Sequence, residues 1–118
     1  MVYFIRARTH FQYAESLFKE LMSGQRVLSI KALQEVFLQG LKALHALTIL
    51  SPPEKPLSSE ELFKRILPTL SDSEREYLLR LKNLLFSAKD YNKDDLLVLL
   101  TELKGYITFL KECLKPIL

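Results

Sequence analysis

The nearest thing to reactive chemistry in this sequence is an arginine followed one helical turn later by a histidine, in Arg6-Ala-Arg-Thr-His10. Side chains four apart on a helix share one face. An arginine that holds phosphate beside a histidine that moves protons is the minimum equipment of a nuclease. Ribonuclease chemistry through Arg6 and His10 is therefore one reading. The alternative is a solvated helix face, because Arg8 and Thr9 are polar neighbours and no third group in the local sequence orients the imidazole.

His45 is the second histidine, one turn after Lys42 on a polar strip formed with Lys31, Glu35 and Gln39. It reads as a boundary histidine satisfied by solvent. Neither histidine has the His or Glu partner at helical spacing that metal ligation needs. The paired carboxylates Glu60-Glu61 and Asp94-Asp95 fall at expected helix starts, where negative charge offsets the helix dipole. Gly24, Gly40 and Gly105 are isolated, so no glycine-rich phosphate cradle exists. No catalytic, cofactor-binding or metal-ligating set is assigned, and the expectation is a protein that is not an enzyme.

The elements that carry these residues are helical. The 118 residues are 48% hydrophobic and 26% charged, with only three glycines and five prolines, which fits one globular domain over residues 1–118. Phe4, Ala7, Phe11, Ala14, Phe18 and Leu21 recur every three or four residues and predict a helix from about Tyr3 to Met22, closed by Gly24. A second, apolar almost all round, is expected from Val27 to Leu50. The prolines between Ser51 and Pro56 stop it.

Ser58 and Glu61 predict the start of a short helix that ends near Pro68. Ser71 and Glu74 open a fourth helix, with Tyr77, Leu78, Leu81, Leu84, Leu85 and Ala88 on its inner face. After a turn at Lys89 to Asn92, capped by Asn92 or Asp94, comes a last helix. Its heptad is Leu96, Leu100, Leu103, Ile107, Leu110 and Leu114. The expected fold is all-α, an antiparallel four-helix bundle with one additional short helix.

Gly40 and Gly105 interrupt long helices. Either another helix backbone comes close there, or the glycines are merely tolerated. Leu99, Tyr106, Phe109 and Cys113 lie beside the last heptad and exceed what one seam needs, which points to an interface in a homodimer or a complex with another protein.

Net charge is +3, all of it in residues 1–50. Arg6, Arg8, His10, Arg26 and Lys31 are the candidate contacts for RNA or a nucleotide. One cysteine excludes an internal disulfide. No stretch has the length or apolarity of a leader or membrane span, so a cytoplasmic protein without membrane, metal or cofactor is expected.

The segment Gly40-Leu-Lys-Ala-Leu44 is similar to the Ala-Leu-Lys-Ala-Leu segment of HEPN domains, helical domains paired with minimal nucleotidyltransferases in prokaryotic toxin–antitoxin systems. The proline loop at Ser51 to Pro56, the short leucine-rich helix at Leu62 to Leu70 and the Asp90-Tyr91 turn follow in the same order. That resemblance spans most of the chain and implies a dimeric helical partner subunit, or a nucleotide- or RNA-binding module. The departures are specific. Leu38-Gln39 replaces the family's glutamate-lysine pair, Phe86 stands about where its arginine is expected, and no histidine follows His45. The resemblance is therefore to members without nuclease equipment.

Overall fold

Helix ends in this protein are set by hydrogen bonds that close within three or four residues. The computed structural model describes residues 2–48, 57–87 and 89–117, and among them holds five α-helices and no strand. These are α1 (Val2–Ser23), α2 (Ile30–Ala46), α3 (Ser59–Ile66), α4 (Asp72–Leu85) and α5 (Lys93–Leu114). Short 3-10 turns follow α3 at Leu67–Thr69 and α5 at Lys115–Ile117. The all-α class expected from the sequence is the class observed.

Gly24 adopts a φ of 80° and ends α1, a conformation that costs glycine nothing. Ser71 and Glu74 form a reciprocal capping box at α4, with bonds of 2.8 and 3.3 Å. Asn92, not Asp94, caps α5, and it too forms a box, with Asp95.

Two boundaries differ from expectation. α2 starts at Ile30 instead of Val27, because the Ser29 hydroxyl accepts from the Ala32 amide at 3.2 Å while Ser29 itself stays extended. Val27, left outside the helix, is exposed. α2 gives way to a turn at Leu47 and Thr48. The expected proline stop at Ser51 to Pro56 lies outside the described residues. α4 ends at Leu85 rather than reaching Ala88, which is also outside them.

The core is a leucine-rich interior shared by all five helices. α1 and α2 are joined by a short connection, lie against one another and so run antiparallel. α5 runs antiparallel to α1: the Arg8 guanidinium donates to the Ile117 carbonyl (2.7 and 3.2 Å), and Lys111 pairs with Glu15 at 3.0 Å. α4 runs antiparallel to α5, with Arg80 opposite Glu102 at 3.8 Å and Tyr77 against Phe109 at 5.2 Å between ring centroids. α3 lies on α2.

Phe37 of α2 is the hub of this packing, with ring centroids 5.1 Å from Tyr106, 6.1 Å from Phe86 and 6.4 Å from Phe63. α5 therefore touches α1, α2 and α4 and buries more than one stripe. Leu99 and Tyr106 join Leu100, Leu103, Ile107, Leu110 and Leu114 inside. The expectation that Leu99 and Tyr106 present surplus surface is corrected by that burial.

Candidate functional site

α1 and α2 together supply what local sequence could not. His10 Nδ1 lies 2.8 Å from the Gln39 side-chain oxygen, and the Gln39 amide nitrogen donates to Glu35 at 2.8 Å. A carboxylate only accepts, so it fixes which end of the Gln39 amide faces His10. The Gln39 oxygen then requires the proton on Nδ1 of the neutral imidazole. Nε2, which has no partner among the described residues and is not sealed from solvent, keeps its lone pair. Gln39 and Glu35 are four apart, the one signal of this relay in the sequence. His10 is 29 residues away from Gln39, so only the packing of α1 on α2 makes the link.

The other basic residues named from the sequence do not converge on His10. Arg6 is exposed one turn before it, with no ion pair or hydrogen bond among the described residues. Arg8 is turned to the Ile117 carbonyl. Arg26 pairs with Glu20 at 3.4 Å at the far end of α1, and Glu20 is about 21 Å along the helix from Arg6 at 1.5 Å per residue. Lys31 is exposed in the first turn of α2. The charges form two groups at opposite ends of α1 rather than one face.

His45 differs more sharply from expectation. It is buried at 5% exposure, and its Nε2 has no hydrogen-bond partner among the described residues. Burial, and then the charge of Arg65, hold its pKa below the ordinary histidine range. α3 lies on α2, and its Arg65 is near enough to act on His45, a neighbour that periodicity in α2 alone does not reveal. Among the described residues, Tyr77 is the other buried polar group without a partner.

A cleft of about 410 Å³ opens between α2, α3 and the end of α4. Its walls include Phe37, Phe63 and Phe86, and its rim carries Glu60, Lys82 and Asn83. Phe86 is in the cleft because α4 stops there: it is the C-cap residue, with φ −118° and ψ 21°, and its ring turns back toward Phe37. The Lys82 ammonium sits 5.1 Å from the Phe63 ring centroid. The sequence singles out Glu60 and Phe86 for other reasons but gives no sign that they share a cleft, since an aromatic at a helix end carries no motif.

Phe109 and Cys113, the remaining expected interface residues, are half-buried. Burial, with Glu74 and Glu112 adding negative charge, pushes the Cys113 thiol up to about 11. The apolar side chains that do reach solvent on α4 and α5 are Leu79, Leu84, Leu97 and Val98. Among the described residues no three potential metal ligands gather, and no helix is long and apolar enough to cross a membrane.

These features define an all-helical protein with a histidine relay on one side and an aromatic cleft on the other. No family model, no curated protein and no solved structure matches the chain.

Proposed function

We propose that this chain is a non-catalytic, HEPN-like module in which α1, α2, α4 and α5 act as an antiparallel four-helix bundle. It works by association, as a homodimer or beside a nucleotidyltransferase-type subunit, in the cytoplasm. The observation that carries this reading is the apolar surface where α4 ends and α5 begins. Leu84, Leu97 and Val98 are 38%, 45% and 61% exposed. The α4–α5 register that pairs Arg80 with Glu102 brings Leu84 opposite Val98. Solvent-facing side chains of this kind, grouped at one end, mark association surfaces.

One element of the resemblance, the aspartate-tyrosine turn, is tied into the bundle, whereas Gly40, where the segment departs from the family's alanine, lies against Tyr106. Tyr91 of the aspartate-tyrosine turn donates to the Leu84 carbonyl at 2.8 Å and so ties the turn to α4.

Light scattering at tens of micromolar is the test. A dimer that becomes monomeric in Val98→Glu is the expected result. A monomer that also retains no co-expressed nucleotidyltransferase-type subunit would sink the proposal.

A second reading, RNA binding or cleavage through the α1 face, is favoured by one observation: the hydrogen bonds behind His10 leave Nε2 available one turn from Arg6, which has no ion pair among the described residues. Binding that weakens steeply with salt, and RNA cleavage lost in both His10→Ala and Gln39→Ala, would favour it. Salt-independent binding with no cleavage would remove it.

A further inference from the structure

We infer that the cleft between α2, α3 and the end of α4 binds a small planar aromatic ligand that carries an anionic group. This site shares the end of α4 with the proposed association surface but uses different side chains, and the inference does not depend on that surface. Its volume, about 410 Å³, lies within the range of small-molecule sites, which are mostly apolar with a few placed polar groups.

Three phenyl rings supply the apolar part, and they are unequal. Phe37 and Phe63 are almost wholly buried and form the floor, while Phe86 is 38% exposed and stands as a wall. A flat ring laid against Phe86 covers apolar surface that water now touches, and offset stacking of aromatic rings adds to that gain.

The charge preference comes from Lys82. Its ammonium lies over Phe63, the residue is half-buried as a whole, and no carboxylate is within ion-pair distance among the described residues. An anion brought to it makes a charge-assisted pair in a partly desolvated place. Glu60, by contrast, is exposed at the start of α3. Asn83, exposed at the rim, offers one donor and one acceptor to the edge of a heteroaromatic ring.

The experiment is amide NMR titration of the whole chain with four probes: adenosine 5′-monophosphate, 2-naphthoate, adenosine and inorganic phosphate. Saturable shifts are expected from at least one of the two aromatic anions, confined to the start of α3 and residues 82–87. Adenosine and phosphate alone should bind more weakly. Lys82→Gln, on a half-exposed position, should weaken the aromatic anions about tenfold, the equivalent of one charge-assisted bond. Phe86→Leu keeps apolar volume while removing the ring, and should weaken both aromatic anions. No saturation by either anion, shifts that map elsewhere, or affinity indifferent to Lys82→Gln would overturn the assignment.

Discussion

The hydroxyl of Tyr106 donates to the carbonyl of Phe37 at 2.8 Å in the interior, and this bond places the tyrosine against Gly40. Tyr106 is fully buried, and burial drives its ionisation well above the ordinary range, so the hydroxyl stays a donor. A β-carbon at Gly40 would collide with that hydroxyl and come within 2.7 Å of Leu110. α2 and α5 approach as closely as they do because position 40 has no side chain.

Gly40→Ala should therefore destabilise the protein by about 2–3 kcal/mol, the cost of overpacking a closed core. Tyr106→Phe should cost about 1 kcal/mol as a lost hydrogen bond. Because it also removes the colliding oxygen, the double variant should be more stable than the two single effects added together. Urea unfolding of the four proteins measures the coupling, and strict additivity would contradict the contact.

Gly105 should behave in the opposite way. A β-carbon there meets only the Tyr77 hydroxyl at 3.5 Å, an ordinary contact, on an exposed face of α5. Gly105→Ala should raise stability by about 0.5–1 kcal/mol, since alanine gives the unfolded helix segment less freedom to lose. A lowered unfolding midpoint would show that the position is needed for something beyond tolerance.

His45 predicts acid sensitivity. Its folded pKa lies below the ordinary histidine value of 6.5, so the unfolded chain takes up a proton before the folded one does. Its contribution to stability is fully present above that value and is lost as pH falls through it toward the folded pKa. His45→Leu should flatten the loss of stability between pH 7.5 and pH 5.5, relative to the parent chain. At pH 7.5 it should cost little, because the imidazole Nε2 has no partner among the described residues to lose. Equal slopes in the two proteins would rule out His45 as the source.

Cys113 should be a slow thiol. With its pKa near 11, its thiolate fraction at pH 8 is about a hundredfold below that of a free cysteine. Reaction with a chromogenic disulfide should be slowed by a similar factor in the native protein and restored in urea. Fast native labelling would place the sulfur nearer to solvent than the structure has it.

Local hydrogen bonding explains why so much of the helix pattern is legible in the chain. Ser58, Ser71, Asn92 and Gly24 each fix a helix end through groups within a few residues, and each end is where its residue type demands. The one cap overlooked, Ser29, obeys the same rule and shortened α2.

The site is a different case. His10 and Gln39 are 29 residues apart, and Tyr106 and Phe37 are 69, so no local pattern could pair them. α2 and α5 are apolar over most of their circumference, and such helices carry no mark of which side meets a neighbour. The sequence alone determined that the chain is helical and where most helices start and stop. Only tertiary packing decided that Gly40 is a contact and Gly105 is not, that His45 is inside, and that Leu99 and Tyr106 are core. The physical reason is range: capping closes over one turn, whereas burial depends on which distant helix arrives to cover a face.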